Sequence, residues 1–256
     1  MSTPEDNAWP AGWSEIYDAM DLDRGLHLDF YSGLAGPDTR SLLDLGCGTG
    51  SITLAIAANM APGASVVGVD LAPKMIEIAR ARAPQHDWRV GDIAAPGVAG
   101  QFDLVVICFH TLQLLLDDAA VAGCLSAVAG CLAPGGRFAF DIYRPNPDWL
   151  AAVDATPREA RRYTDAAGRG FVVMDRDAAY DPETRILSGN WTLHEAATGA
   201  MVPLAPITQR LRQYFPEDIA RHLAAAGLEI ADRFGELDRR PLTPDSKRQI
   251  YICRAA

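Results

Sequence analysis

The chain has 256 residues, 49% of them hydrophobic, enough for one large domain with a substantial core. Its net charge of −10 argues against a nucleic-acid partner, and acids lie near its densest basic stretch, Arg158 to Arg162. No run of about 18 apolar residues suggests a membrane span, and Met1 to Pro10, polar and acidic, lacks the pattern of a signal peptide.

Along Trp9 to Tyr31, Ser14 is placed to cap a helix with Trp13, Tyr17 and Met20 near one face. The stretch Leu42-Leu43-Asp44-Leu45-Gly46-Cys47-Gly48-Thr49-Gly50 then ends an apolar strand in an acid, alternates three glycines, and leads into a helix over Ser51 to Met60. Glycine lets a backbone turn tightly and approach a ligand, and the helix start suits an anion. A dinucleotide fingerprint reads G-x-G-x-x-G; here the last glycine comes one residue early.

Ser65 to Asp70 reads as a second strand ending in an acid, 20 residues after Gly50, where a carboxylate accepts from both ribose hydroxyls. Pro73 suits the first turn of the next helix. Met75 lies either against an adenine or in the core. Trp88-Arg89-Val90 is a short third strand followed by Gly91-Asp92-Ile93, with Asp92 either a turn residue or a ligand contact. Phe102 to Phe109 is apolar enough to be buried on both faces, and His110 follows its carboxyl end, the edge where open α/β sheets bind ligands. Asp117 can cap a helix with the stripe Val121, Leu125, Val128 and Leu132. Pro134-Gly135-Gly136 then turns into a fifth strand, Arg137 to Ile142.

These features, from Leu42 to Ile142, together resemble the class I S-adenosylmethionine-dependent methyltransferases. The resemblance implies an α/β, Rossmann-like seven-stranded sheet of order 3-2-1-4-5-7-6. It implies a site for S-adenosylmethionine, with S-adenosylhomocysteine as product, drawn from Tyr17, Tyr31, Asp44, Gly46, Cys47, Gly48, Gly50, Asp70, Leu71, Met75, Gly91, Asp92, Ile93 and Cys108. Asp92 would accept from the adenine amino group, and the N-terminal residues would close over the cofactor.

After Arg144 the pattern alternates. Phe171 to Tyr180, Arg185 to Glu195 and Ile207 to Phe215 read as strands of an antiparallel sheet inserted after strand five. Pro216 to Gly227 returns to helix, and Leu228 to Phe234 and Gln249 to Arg254 complete the core. One methyltransferase domain over 1–256 is expected, with lid helices in 1–36, a cofactor core in 37–145, a substrate-covering insert in 146–215 and core completion in 216–256. Leu211 to Pro216, Ala226-Gly227-Leu228 and Pro241 to Ser246 resemble a bacterial subgroup acting on small molecules.

At the methyl group His110 is the first choice for base or acceptor orienter, ahead of Tyr17, Arg212 and Tyr214, with His194 weaker. Related enzymes often carry a histidine where this chain has Leu114. The five cysteines, Cys47, Cys108, Cys124, Cys131 and Cys253, lack C-x-x-C spacing and read as buried thiols of a cytoplasmic protein without a metal. The expected partner is a small molecule of secondary metabolism, with no nucleic acid or membrane, for a monomer or homodimer. The alternatives are a nucleotide-dependent oxidoreductase and a non-catalytic S-adenosylmethionine-binding protein.

Overall fold

The computed structural model describes residues 9–20 and 24–256. The expectation for Met1 to Pro10 falls, up to Ala8, outside them. Five strands form the parallel part of the main sheet: β1 (Ser41–Leu45), β2 (Ser65–Asp70), β3 (Asp87–Val90), β4 (Phe102–Ile107) and β5 (Leu132–Tyr143). β10 (Leu228–Phe234) and β11 (Arg248–Ala255) extend it in the order β10-β11-β5-β4-β1-β2-β3, with β11 antiparallel to both neighbours. This is the expected 3-2-1-4-5-7-6 order.

The apolar runs are continuous because the central strands are covered on both sides. Successive side chains point to opposite faces. Leu43, Leu45, Val67, Val69, Val105 and Ile107 therefore pack on one side with α5 (Asp118–Cys131) and α7 (Pro216–Ala225). Leu42, Val66, Leu104 and Val106 pack on the other with α2 (Arg24–Ser32) and α3 (Ser51–Ala57). Beside β3, α4 (Pro73–Arg82) buries Ile76 and Ala79 against Trp88 and Cys47. All five cysteines are buried and free.

The insertion is a four-stranded antiparallel sheet, β6-β7-β8-β9, entered through α6 (Pro147–Ala151). β7 (Gly170–Asp181), β8 (Ile186–Glu195) and β9 (Ile207–Arg212) were legible from alternation; β6 (Arg158–Thr164) was not, being an arginine-rich edge. Tyr163, Val173, Leu193 and Ile207 of this sheet pack on Trp13 and Met20 of the N-terminal segment, which comprises α1 (Ala11–Ile16) and a 3₁₀ turn, Tyr17–Met20. Ser14 lies inside α1 and is buried, its hydroxyl donating to backbone carbonyls, so it is not the cap expected. The strand expected to reach Phe215 ends at Arg212, because Phe215 is already the N-cap of α7. β5 begins early, at Leu132, and the Pro134-Gly135-Gly136 excursion sits within it as a register shift.

Two residues expected at the cofactor belong to this framework. Gly50, at φ +80°, is the N-cap of α3, and a Cβ there would lie 2.8 Å from the Trp88 ring. Gly50→Ala combines a left-handed backbone with this clash and should cost about 2–4 kcal/mol of unfolding free energy, measured by urea denaturation. Asp44 is 1% exposed, and its Oδ2 accepts from the Thr53 hydroxyl at 2.6 Å while Oδ1 has no partner. Burial raises its pKa to about 7, so the folded chain favours the neutral acid. The stability this contributes is full below the unfolded value of about 4 and is lost as pH rises through about 7. The melting temperature of the wild type relative to Asp44→Asn should therefore fall between about pH 4 and 7 and level off above. A constant difference across that range would show Asp44 ionised in the folded chain.

Candidate active site

A cavity of about 250 Å³ opens at the carboxyl ends of the central strands, where open α/β sheets hold ligands. Its floor comes from Gly46 and Gly48 after β1, Asp70 and Leu71 at the end of β2, Asp92 and Ile93 after β3, and Phe109 and His110 after β4. Met75 of α4 closes one side. Trp9 and Tyr17 cover it from the N-terminal segment, and Arg161, Trp191, Gln209 and Leu211 from the inserted sheet. Trp9 stands edge-on to both Tyr17 and Trp191, with centroids 5.0 and 6.3 Å away, so the two covers meet in an aromatic wall.

The glycine turn is built for close backbone approach. Gly46 (φ +80°) makes room for the Thr111 side chain, and Gly48 (φ +53°) sits beneath the Tyr17 ring. Gly48 N–H donates to Asp70 Oδ2 at 2.8 Å and Ala72 N–H to Oδ1 at 2.9 Å. Burial nevertheless raises the Asp70 carboxyl above the usual range. Each oxygen still has a lone pair for a hydroxyl, so a ribose fits there. Asp92 accepts the Ala94 N–H at 2.9 Å, which fixes its side chain beside Ile93 and Leu71.

The cavity thus brings together Tyr17, Gly46, Gly48, Asp70, Leu71, Met75, Asp92, Ile93 and His110. Other expected residues lie elsewhere. Asp44 and Gly50 serve the core as described, Cys47 packs on α4 and Trp88, and Gly91 donates its N–H to the Asp70 carbonyl. Cys108 is buried near Tyr31, which is fully buried with its hydroxyl donating to Asp141 Oδ1 at 2.6 Å. Both residues belong to the core on the α2 and α3 side of the sheet. Tyr214 is 1% exposed and donates to the Leu115 carbonyl at 2.5 Å, while Arg212 pairs with Asp118 at 2.8 Å; both brace α5 instead of reaching the cavity. His194 is held near the hairpin by Thr192 and Gly199.

Beneath His110 lies a residue the sequence reading missed. Asp141, on β5, is fully buried. Besides Tyr31, it accepts from Phe109 N–H at 3.1 Å, while His27 Nε2 lies 3.3 Å and His110 Nδ1 3.4 Å from Oδ2. Burial opposes its ionisation, but His27, His110 and Tyr31 outweigh this and hold the carboxyl below its usual range. Burial also lowers the pKa of His110, against the pull of Asp141. The pair is therefore an imidazole held toward its neutral form facing a carboxylate, with Nδ1 the ring nitrogen nearer Asp141. Phe109 and His110 both adopt left-handed φ, 54° and 62°. Asp141, gripping the Phe109 amide, helps hold this turn. The signal available was an aspartate inside the apolar run Phe138-Ala139-Phe140-Asp141-Ile142. The ring of His110 stacks on Tyr143 at 3.4 Å. Among the described residues no cluster suits a metal ion.

Residues 42–136 match a family described as methyltransferase domain. Among curated relatives, the trans-aconitate 2-methyltransferase of Methylobacterium radiotolerans is 36% identical over 148 residues, 56% of this chain and 55% of that one. The cypemycin N-terminal methyltransferase of a Streptomyces species is 28% identical over 225 residues, covering 84% and 83%. The chain spans about half the length of the first curated relatives it matches. Among solved structures, the CcbJ methyltransferase of Streptomyces caelestis superposes with a TM-score of 0.79 at 23% identity, covering 99% of this chain and 98% of that one. An amino pentose methyltransferase of Micromonospora echinaspora gives 0.69 at 23%, covering 98% and 99%. At these identities the structural likeness speaks for the fold. In its matched domain, residues 42–136, and in its strand order, this chain is similar to the class I S-adenosylmethionine-dependent methyltransferases.

Proposed function

We propose that this protein transfers the methyl group of S-adenosylmethionine to a small-molecule acceptor bearing a nitrogen or oxygen nucleophile. The observation that carries this reading is one continuous cavity. It joins a glycine turn and the strand-end carboxylates Asp70 and Asp92 to His110 and the inserted sheet. The domain match gives the oxidoreductase and non-catalytic alternatives no support.

S-adenosylmethionine supplies a methyl group already activated on a sulfonium. Gly46 and Gly48 would offer backbone to it, Asp70 would take the ribose hydroxyls, and Met75 and Ile93 would flank the adenine beside Asp92. With an activated donor, positioning contributes much of the acceleration. Tyr17, Trp9 and Trp191 line the cavity and would shield a bound donor from water. His110, neutral and oriented by Asp141, would accept a hydrogen bond from the acceptor's N–H or O–H through Nε2. A hydroxyl acceptor would pass its proton there; an amine would need only orientation. The insert of residues 146–215 is read as the substrate cover and residues 1–36 as the cofactor lid. Named neighbours that methylate an amino pentose and nocamycin favour a metabolite of secondary metabolism as acceptor. Among the described residues no helix is long and apolar enough to cross a membrane, and the free thiols favour the cytoplasm. A monomer or homodimer is expected.

S-adenosylhomocysteine should bind at micromolar concentration, one per chain. Asp70→Ala should weaken it about tenfold or more in calorimetry, as two charge-assisted hydrogen bonds are lost. Unchanged affinity would remove Asp70 from the ribose site.

His110→Ala, assayed by transfer of labelled methyl to a panel of amine, phenol and carboxylate metabolites, should raise KM for the acceptor and lower turnover less than about 100-fold. Because burial disfavours the imidazolium, kcat/KM should show no protonation step near the ordinary histidine value of about 6.5. A larger loss of turnover, restored by added imidazole, would make His110 an obligatory base instead.

A further inference from the structure

The rings that line the cavity differ from the rings that fill the core. Trp13 is 1% exposed and lies wholly within the apolar cluster beneath the inserted sheet. Trp9, Tyr17 and Trp191 border that cluster but are only partly buried, and all three line the cavity. Successive rings are turned nearly at right angles, by 82° from Tyr17 to Trp9 and by 80° from Trp9 to Trp191. Tyr17 starts this run over the glycine turn, its ring 3.7 Å from where a Cβ on Gly48 would lie. Trp191, on β8, ends it in the inserted sheet. Aromatic rings set at angles around one space attract a cation, because the face of each ring is negative.

The charges of the cavity agree in sign. Asp70, Asp92 and Asp117 line it against Arg161 and Arg248, and Arg248 is itself paired with Glu236 at 3.5 Å. Arg161 is on β6, two strands from Trp191 and so roughly 10 Å away across the sheet. A proton acceptor is scarce beside the rings. Asp70 and Asp92 sit at the cofactor end, and Asp117 accepts from Ala120 N–H at 2.8 Å at the start of α5. His110 remains, and its surroundings resist a proton. Burial is the largest cause; Asp141 opposes it, while His27, Arg248 and Arg161 add to it.

We propose that the methyl acceptor is an amine, oriented at His110, and that Trp9, Tyr17 and Trp191 hold the ammonium that forms on it. This rests on the methyltransferase reading and names its substrate class. The amine lone pair forms the new N–CH₃ bond as the S–CH₃ bond breaks and leaves its electrons on sulfur. Sulfur becomes a neutral thioether, and the positive charge passes to nitrogen. The cavity therefore holds one cation before and after transfer, and no base is needed in that step. The proton of the new ammonium is lost to solvent after release. A hydroxyl acceptor would instead have to deliver its proton to His110 inside the cavity. The competing account is that the three rings only fasten the N-terminal segment to the inserted sheet.

The test is calorimetry on the full chain saturated with S-adenosylhomocysteine, whose neutral sulfur leaves the place of the cation open. The probes are choline and its neutral analogue, with tert-butyl in place of trimethylammonium. Choline should bind below about 10 mM and about fivefold or more tighter than the analogue. Trp191→Leu should remove that preference, and Trp191→Phe should keep most of it. In the acceptor panel with labelled methyl, amines should be the members turned over. The proposal is overturned if choline binds no better than its analogue, if Trp191→Leu keeps the wild-type preference, or if a phenol or carboxylate is methylated and no amine is. The wild-type comparison of the two probes needs no variant, so it decides even where Trp191→Leu fails to fold. Failure to bind S-adenosylhomocysteine in the first titration would instead remove the methyltransferase reading, and the acceptor assignment with it.

Discussion

A charge buried beneath the active-site cavity organises what surrounds it. Asp141 is fully enclosed, and an unpaired carboxylate there would be intolerable. It is met by groups from two places, Tyr31 and His27 of α2 and Phe109 and His110 after β4. This one cluster therefore fixes α2 against the sheet, holds two left-handed residues in place, and puts a carboxylate beneath the histidine at the cavity. Left-handed residues other than glycine cost roughly 1–2 kcal/mol each. That cost is borne at the place where a side chain has to leave the strand and turn toward a ligand.

How far the sequence could be read follows from what each pattern reports. Buried strands announce themselves by unbroken apolar runs, so β1, β2 and β4 were found nearly to the residue. The acids closing β1 and β2 were visible, but their division of labour was not. Asp70 ends β2 and faces the cavity, whereas Asp44 lies one residue before the end of β1 and bonds Thr53 in the core. In the β1–β2 register Asp44 pairs with Gly68, two positions deeper than Asp70, and a linear motif does not carry that depth. Tyr31, Cys47 and Cys108 were likewise drawn to the site by their nearness in sequence to its motifs, while the structure buries them in the core. Arg212 and Tyr214 were drawn into the site by an alternation that had already stopped at the end of β9. β6 escaped because arginines and a glutamate on an edge strand look like solvent-facing coil.

The cavity has two chemically different ends. Toward the glycine turn it presents carboxylates at strand termini, which suit ribose hydroxyls and a cationic donor. Toward β11 and the inserted sheet it presents guanidiniums, Tyr143 and Gln209. His110 lies between them. The parallel sheet supplies the first end, and the second exists only because the inserted strands fold back over it. Gln113 ties these parts together. Its amide donates to the Arg212 carbonyl at 3.0 Å and accepts from Tyr143 N–H at 2.8 Å. The side-chain amide of Gln113 is thereby satisfied by backbone groups on both sides of the junction.

The N-terminal cover is joined to the cofactor end by polar contacts and to the inserted sheet by apolar ones, and these two attachments have different consequences. Asp18 accepts from the Thr49 hydroxyl at 2.8 Å and pairs with Arg82, whose Nη1 donates to the Thr49 carbonyl at 3.2 Å. Trp13 and Met20 instead bury themselves against Tyr163, Val173, Leu193 and Ile207. Partly exposed ion pairs contribute about 1 kcal/mol or less, whereas each buried apolar side chain contributes roughly 1.5–3 kcal/mol. The cover is thus fastened more firmly to the inserted sheet than to the glycine turn.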